Sequence, residues 1–343
     1  MASLPKITIV TPSYNQGEYI EETITSILDQ GYPNLEYIIM DGGSTDNTVD
    51  VIKKYDAHIT HWESVKDDGQ SHAINKGREM ATGDVFNWIN SDDYLEPGAL
   101  QKVGEALADG SGCTCLIGNI RYVGAVDGPD QRSPETTIQP TLDDTLLNIT
   151  VKQPSTWYRM EMVRAFGPLT AALHYSMDYE WWIKYLLSQG VDAIQEIPDV
   201  LSNFRLQEEA KTWDGWLKFN RDILSIHRSI ANHQGMNQLE PLYTGMELLD
   251  GYTYTGDMKA SKALLERWII NTTLKRYRVV HLEDQFDKAK QVAANMKALN
   301  MPLDSYADWE FYRKLAKIPN WTAFRALRKV DNMLGTGSAL FNR

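Results

Sequence analysis

The feature that most constrains this fold is a regular alternation of strand-like and helix-like segments in the first third of the chain. Apolar, β-branched runs predict strands at residues 6–12, 35–41, 58–62 and 84–90. Helical periodicity follows each run, at residues 17–31, 42–55, 69–83 and 96–110. This alternation predicts an α/β fold with a mostly parallel, doubly wound sheet flanked by helices. In such sheets, ligands bind in the crevice outside the carboxyl ends of the strands.

Polar residues follow all four predicted strands, so they should meet at one edge of the sheet. They are Tyr14 and Asn15 after the first strand, which ends at Pro12, Asp41 at the second, Asp68 after the third, and Ser91, Asp92 and Asp93 after the fourth. Adjacent carboxylates repel each other, and burial of either without a partner is costly. Asp92 and Asp93 therefore fit two interpretations, a site for a divalent cation or a solvated turn that caps the next helix.

Composition limits the classes of partner. The chain has 343 residues, 43% of them hydrophobic, and a formal net charge of -12. This charge excludes nucleic acid as a partner, because the field of the protein would repel its phosphates. A phosphorylated ligand remains compatible when a metal ion supplies the local positive charge. Cys113 and Cys115 lack the further ligands of a zinc site and are expected to be reduced thiols on one face of a strand.

No segment has the length expected of a signal peptide or a membrane span. The N-terminal apolar run is too short for the first, and no run reaches about 20 apolar residues. We therefore expect a cytoplasmic protein, with peripheral contact at the inner face of the membrane as the alternative.

The pattern changes near residue 210, which predicts a catalytic domain at residues 1–210 and a helical region at residues 211–343. Helix-like segments occupy residues 213–233, 239–254, 258–277, 282–299 and 305–318. From Phe311 onward, the chain has seven Lys and Arg residues and a single acidic residue, Asp331, so the tail is basic. Two interpretations stay open, a helix that docks on its neighbours or one that contacts an anionic membrane or a lipid-linked acceptor. The helical region also allows a homo-oligomer contact.

Four stretches resemble, in order, the family 2 glycosyltransferases. They are "TPSYNQGEYIEETITSILDQ", "YIIMDGGSTDNTVDVI", "DDGQSHAINKGREMATGDVFNWINSDDYLEPGAL" and "QPSTWYRMEMVRAFGPLTAALHYSMDYEWWIKYL". The resemblance covers residues 6–206 and implies the Rossmann-like GT-A fold. It also implies a nucleotide-diphosphate sugar donor, a divalent metal (Mn²⁺ or Mg²⁺) and inversion at the anomeric carbon.

The resemblance assigns donor-side roles to residues of this chain. Asp92 and Asp93 become the metal-site candidates: Asp92 is the expected ligand, because Asn90 replaces the first Asp of the usual Asp-x-Asp pattern, and Asp93 supports it or contacts the sugar. The other donor-binding candidates are Pro12, Tyr14, Asn15 and Asp41 near the base, Asp68 and Lys76 near the ribose and diphosphate, Ser91, and Arg205 near the diphosphate. Lys76 is equally compatible with a solvated helix position. Gln207 stands where relatives often have a His.

The acceptor side is expected to carry the general base. Asp178 in "SMDYEWWIKYL" matches the Asp of the family's Glu-Asp pair, while Met177 replaces the Glu. An inverting transfer needs such a base opposite the leaving group. Gln153 and Trp157 in "QPSTWY" are expected to line the acceptor side, although Trp157 fits a core position equally well.

The sequence therefore predicts an inverting glycosyltransferase that acts on a glycan or lipid-linked hydroxyl, with a UDP-sugar favoured as donor. Bacterial cell-surface polysaccharide synthesis is the expected setting. A metal-dependent nucleotidyltransferase is the first alternative, but the segment after strand one has one glycine and no Lys or Arg to hold phosphates. A non-catalytic nucleotide-sugar-binding protein is the second, and it would not need Asp178.

Overall fold

The protein forms two compact units, residues 1–216 with 256–259, and residues 217–255 with 260–343. The structure, a computed structural model, describes residues 3–108, 110–124, 131–132, 137–206, 216–278, 283–299, 301–306 and 308–334.

The first unit contains one nine-stranded sheet. Its strands are β1 (Ile7–Ser13), β2 (Leu35–Asp41), β3 (His61–Ser64), β4 (Val85–Trp88), β5 (Tyr94–Leu95), β6 (Cys115–Val123), β7 (Gln131–Arg132), β8 (Thr156–Arg159) and β9 (Ile194–Arg205). Its helices are α1 (Ile20–Leu28), α2 (Thr48–Lys54), α3 (Gln70–Met80), α4 (Ala99–Ala106), α5 (Leu142–Leu147), α6 (Met160–Phe166) and α7 (Met177–Gln189).

Half of the sheet is the predicted parallel arrangement. The strand order is β3-β2-β1-β4-β8-β6-β9-β5, with β7 paired to β6. Strands β1 to β4 are parallel, and their register aligns Ser13 with Asp41 and Asp41 with Ser64. Their carboxyl ends, and the loops that follow them, therefore share one edge of the sheet, which we call the rim.

The other half of the sheet is mixed, but β1 to β4, β6 and β9, six of the nine strands, run in the same direction, so the sheet is mostly parallel, as predicted. β8 is antiparallel to both β4 and β6, and β5 is antiparallel to β9. Because β8 runs opposite to β4, the 3₁₀ turn Gln153–Ser155 that precedes β8 comes to the carboxyl end of β4. β9 is parallel to β6, which brings Arg205 to the rim as well.

The third predicted strand begins later than expected. Residues 56–58 form a 3₁₀ turn, and β3 begins at His61, which pairs with Ile38. The core lies between the sheet and its helices, with Ile7, Ile9, Ile24 and Trp157 fully buried.

All regular elements among the described residues of the second unit are helical, and turns and coil join them. Its helices are α8 (Trp216–His233), α9 (Lys262–Arg278), α10 (Glu283–Ala298), α11 (Trp309–Leu315) and α12 (Trp321–Leu334). The helix expected at residues 239–254 is wrong, because only a 3₁₀ turn forms there, at Asn237–Tyr243. Two glycines with φ of +70° and +72°, Gly245 and Gly251, end the helical path.

The basic last helix docks within its own unit. Phe324 of α12 is buried, and its ring lies 5.4 Å from Phe286 of α10 and 5.5 Å from Trp321. Leu327 on the same helix remains 48% exposed. None of the helices in the described part of the chain combines the length and apolarity that a bilayer span requires.

Candidate active site

Asp41 at the end of β2 is an anchor for the loop that follows it. Its side chain is 2% exposed. Its carboxylate accepts hydrogen bonds from the backbone of Gly43 (3.1 Å) and Ser44 (2.8 Å) and from the hydroxyls of Ser44 and Ser64. Both oxygens are therefore engaged. Sequence reasoning did not find Ser64, because it reaches Asp41 only through the β2–β3 register.

Asn15 joins the first two rim loops rather than projecting from them. Its backbone N donates to Ser44 Oγ (2.7 Å), and its Oδ1 accepts from Thr45 N (2.9 Å). Asn15 has φ of +52°, the only non-glycine residue among those described with a positive φ. Asn tolerates this left-handed conformation better than most residues, and such conformations cluster at functional sites.

The exposed apolar surface of the rim comes from Tyr14 and Val65. Their side chains are 59% and 54% exposed, and they follow β1 and β3 on either side of β2. Because β2 lies between β1 and β3, these two residues lie on either side of the loop that follows β2. Pro12 is buried inside β1 and cannot offer a stacking face, which corrects that expectation. Val65 is a residue that sequence reasoning missed.

The charged candidates Asp68, in the third loop, and Lys76, on the helix α3 that follows it, have different surroundings. The carboxylate of Asp68 is 93% exposed, and its backbone N donates to His72 Nδ1 (3.0 Å). Lys76 forms an ion pair with Glu63, which follows from its position on the face of α3 toward β3. Asp67, which sequence reasoning did not single out, lies against Gly42, where an added Cβ would come within 3.1 Å of its Oδ1.

The two adjacent carboxylates after β4 differ in how completely they are buried. Asp93 is 1% exposed, and its carboxylate accepts from Arg205 N (3.1 Å) and from Asn90 Nδ2 (3.2 Å). Asp92 is less completely buried than Asp93, while Ser91 is buried in the turn. Burial and the neighbouring charge of Asp92 raise the pKa of Asp93. Burial also raises the pKa of Asp92, and Arg205 opposes this rise. The expectation that both residues bind metal is therefore corrected to one accessible carboxylate.

Arg205 braces this turn. Its guanidinium lies 5.1 Å from the ring centre of Tyr19 and 5.5 Å from that of Tyr94. Its Nε donates to the backbone oxygen of Asp92 (3.1 Å), and its terminal nitrogen pairs with Glu22. Gln207, at the position of the family's His, lies outside the described residues.

Asp178 lies in the first turn of α7, as the second residue of the helix. It is half-buried, and its Oδ1 accepts from Tyr179 N (2.8 Å). The helix N-terminus favours the anionic form of a carboxylate at this position. Glu180 points the other way, into a buried ion pair with Lys184 (3.3 Å).

A hydrogen-bonded path connects Asp178 to the turn that carries Asp92. Ser71 of α3 donates to the sulfur of Met177, which adjoins Asp178 (2.8 Å). Gln70, the next residue of α3, donates to Asn90 Oδ1 (2.7 Å). The structure therefore brings the predicted metal ligand and the predicted base to the same part of the rim.

The acceptor-side candidates separate. Gln153 lies at the rim, where its Nε2 donates to Trp88 O (2.8 Å) and Asn87 Oδ1 (3.1 Å) at the end of β4. Trp157 is 0% exposed on β8 and belongs to the core, so it cannot stack on an acceptor sugar.

A divalent cation fits this rim only when a bound nucleotide supplies further coordinating oxygens. Within the described ranges, no three carboxylate, His or Cys side chains are placed to hold a metal ion together. Asp92 contributes one carboxylate there. Mg²⁺ and Mn²⁺ sites of nucleotide-binding enzymes use one or two carboxylates and complete their coordination with phosphate oxygens and water. The residues present fit such a site.

Comparisons with known proteins agree with this geometry. Residues 8–167 match the model of the family described as Glycosyl transferase family 2. An uncharacterized glycosyltransferase of Nostoc sp. is 27% identical over 179 residues, which cover 48% of this chain and 54% of that protein. The putative teichuronic acid biosynthesis glycosyltransferase TuaG of Bacillus subtilis is 37% identical over 112 residues, covering 31% of this chain and 44% of TuaG. The chain thus spans about half the length of these two relatives.

A solved structure confirms the fold. The structure of S. aureus TarS residues 1–349 in complex with UDP-GlcNAc superposes with a TM-score of 0.66. The superposition covers 94% of this chain and 92% of that one, at 18% sequence identity. The predicted GT-A type α/β fold is therefore confirmed, and the likeness extends beyond the segment that the family model matches.

Proposed function

Because residues 8–167 are a glycosyltransferase domain of family 2, we propose that this protein transfers a sugar from a UDP-sugar to a hydroxyl group of a glycan or lipid-linked acceptor. One observation carries the proposal. An exposed aromatic ring, a half-buried carboxylate after β4 and a second carboxylate at the start of α7 converge on one rim. In this proposal, the rim has one residue to bind the donor, one to help compensate the charge of the leaving diphosphate and one to remove the proton of the acceptor hydroxyl.

The donor base is proposed to lie between Tyr14 and Val65. Both side chains are more than half exposed, and an aromatic face stacks on a flat base with about 1–3 kcal/mol. Asp41, at the end of β2, holds Gly43 and Ser44 in place by accepting from their backbone N–H groups. A uridine nucleotide is favoured because TarS, which shares the fold, was solved with UDP and with UDP-GlcNAc.

Asp92 is proposed to hold Mn²⁺ or Mg²⁺ together with the diphosphate of the donor. The cation, when bound, offsets the negative charge that develops on the leaving diphosphate. Asn90, Asp93 and Arg205 position Asp92 by fixing the backbone of its turn. Since one carboxylate binds a divalent cation weakly, the metal and the nucleotide sugar should bind together.

Asp178 is proposed as the general base. Its carboxylate takes the proton from the acceptor hydroxyl as the hydroxyl oxygen bonds to the anomeric carbon and the diphosphate leaves from the opposite face. This geometry inverts the anomeric configuration. Gln153 at the end of β4 is placed to contact the acceptor.

The acceptor is proposed to be a bacterial cell-surface polysaccharide or its lipid-linked precursor, with the reaction on the cytoplasmic side of the membrane. The name of TuaG, which links it to teichuronic acid, supports this class. The helical second unit, with its basic α12, is proposed to contact the acceptor, the membrane or a second copy of the chain.

Two measurements test this proposal. Nucleotide sugars with Mn²⁺ should raise the melting temperature of the wild-type protein, and a UDP-sugar should raise it most. Asp178→Asn should keep this shift and lose transfer by about 10²–10⁴-fold, the usual contribution of a general base. Asp50→Asn, at an exposed carboxylate paired only with Lys53, is the matched control.

Retention of full transfer by Asp178→Asn would refute the base assignment. No response to any nucleotide sugar with metal would refute donor binding itself. A donor response without transfer to any glycan or lipid-linked acceptor would favour a non-catalytic binding protein.

A further inference from the structure

Asn75 makes a reciprocal pair of hydrogen bonds with a backbone segment outside its own helix. Its Nδ2 donates to Leu169 O (2.9 Å), and its Oδ1 accepts from Leu169 N (2.7 Å). Both polar atoms of the Asn75 amide and both backbone groups of Leu169 are satisfied by this pair. Leu169 is 2% exposed, so the loss of either hydrogen bond would leave a buried polar group without its partner.

Leu169 begins the segment that leads into α7 and Asp178. The segment turns twice, through Leu173 N to Thr170 O (3.0 Å) and Ser176 N to Leu173 O (3.3 Å). Thr170 also donates to Glu180 in the first turn of α7 (3.1 Å). Fixing Leu169 therefore fixes the path by which the chain enters α7.

Ser71 makes the second contact between α3 and this region. It lies four residues before Asn75, so both side chains leave the same face of α3. Its hydroxyl donates to the sulfur of Met177, the first residue of α7. One face of α3 thus holds both the segment before α7 and the start of α7.

The same helix also contacts the metal side of the rim, through Gln70 and Asn90. α3 itself has little freedom to move, because Gly77 packs directly on Val10 of β1. A Cβ added at Gly77 would lie 2.6 Å from a methyl group of Val10. α3 therefore holds the turn that carries Asp92 and the helix that carries Asp178 at a fixed separation.

We propose that Asn75 is a positioning residue for the transfer reaction, which sets the location of the Asp178 carboxylate relative to Asp92 by holding Leu169 against α3. The inference rests on the proposed function, since it needs Asp178 as the base. Asn75 contacts neither donor nor acceptor in this scheme. Its loss should therefore affect the chemical step and leave donor binding intact.

Asn75→Ala tests the inference. We expect kcat for transfer to fall by about 10–100-fold, because a displacement of about 1 Å can cost as much as 10²-fold. The KM for the donor and the donor-induced thermal shift should change by less than about 3-fold. The acidic limb of the pH profile of kcat should also move, because Asp178 would sit in a changed environment.

Two further variants and one control sharpen the result. Asn75→Asp keeps an acceptor for Leu169 N but places a carboxylate against Leu169 O, so it should not restore kcat. Ser71→Ala should also lower kcat and leave donor binding unchanged, with a smaller fall in kcat. It replaces Asn75→Ala in the test if that variant fails to fold. Asn34→Ala removes an exposed amide that donates to Leu4 O, at the opposite end of the sheet, and should leave kcat unchanged.

The outcomes separate the two proposals. Wild-type kcat and pH profile in a folded Asn75→Ala protein would overturn the inference alone. Equal losses of kcat and donor affinity would also overturn the inference, because they indicate that Asn75 has only a structural role. Absence of transfer by the wild type, or full transfer by Asp178→Asn, would refute the proposed function and the inference with it.

Discussion

Glu36 is predicted to stabilise the first unit strongly from the end of the sheet opposite the rim. It lies on β2 beside Thr8 of β1 and is 5% exposed. Its carboxylate accepts from Lys6 Nζ (2.6 Å), Thr8 Oγ1 (2.6 Å), Thr82 N (2.7 Å) and Thr82 Oγ1. The perturbation is Glu36→Gln, which removes the charge and places an amide NH₂ among these donors.

The size of the effect follows from the pKa of Glu36. Burial raises this pKa, but the hydrogen bonds from Lys6, Thr8 and Thr82 outweigh it and lower the pKa from 4.5 to about 2. At 1.36 kcal/mol per pKa unit, this difference stabilises the folded state by about 3 kcal/mol at pH 7. The folded pKa is depressed, so the stabilisation is present above pH 4.5 and is lost as pH falls toward 2.

The assay is urea denaturation of the wild type and Glu36→Gln at pH 7 and pH 4. The difference in the free energy of unfolding should be about 3 kcal/mol at pH 7 and should narrow by about 1 kcal/mol at pH 4. Glu79→Gln, at an exposed position on α3, should change stability by less than about 0.5 kcal/mol. A difference below about 1 kcal/mol at pH 7, or one that does not narrow at pH 4, would refute the reasoning.

Two other predictions concern packing and the metal side of the site. Gly77→Ala should lower the free energy of unfolding by about 1–3 kcal/mol, because its Cβ would overlap Val10. Combining it with Val10→Ala should recover part of this loss in a double-mutant cycle. Arg205→Lys should weaken UDP-sugar binding with Mn²⁺ by about 10-fold in calorimetry, because Lys cannot keep both the contact to Asp92 O and the stacking on Tyr19. Arg164→Lys, at an exposed position, is its control, and equal binding by the two variants would contradict the bracing role.

The parts of the fold that local patterns determine were predicted from the sequence. β1, β2 and β4 and the helices after them follow from apolar periodicity and glycine positions, so the rim itself was predictable. β8 was not, because its four residues, Thr156–Arg159, become a strand only by pairing between β4 and β6. For the same reason, the antiparallel pairings of β8 with β4 and β6 were not predicted.

Side-chain burial was the main limit at the site. The sequence indicates two adjacent carboxylates, but not that Asp93 is buried more completely than Asp92. That difference depends on Arg205, whose backbone N bonds to Asp93 from 112 positions away. Trp157 illustrates the same limit, since an aromatic residue near the rim fits a core or a surface position until its neighbours are known.

The bond between Arg205 and Asp93 also dictates when the site can form. During synthesis at about 5–20 residues per second, Asp93 leaves the ribosome several seconds before Arg205 does. In that interval β5 has no β9 to pair with, and the buried carboxylate lacks its backbone donor. The nascent chain can therefore assemble the β1–β2–β3 edge early, whereas the turn that carries Asp92 acquires its final shape only after the last strand of the sheet has emerged.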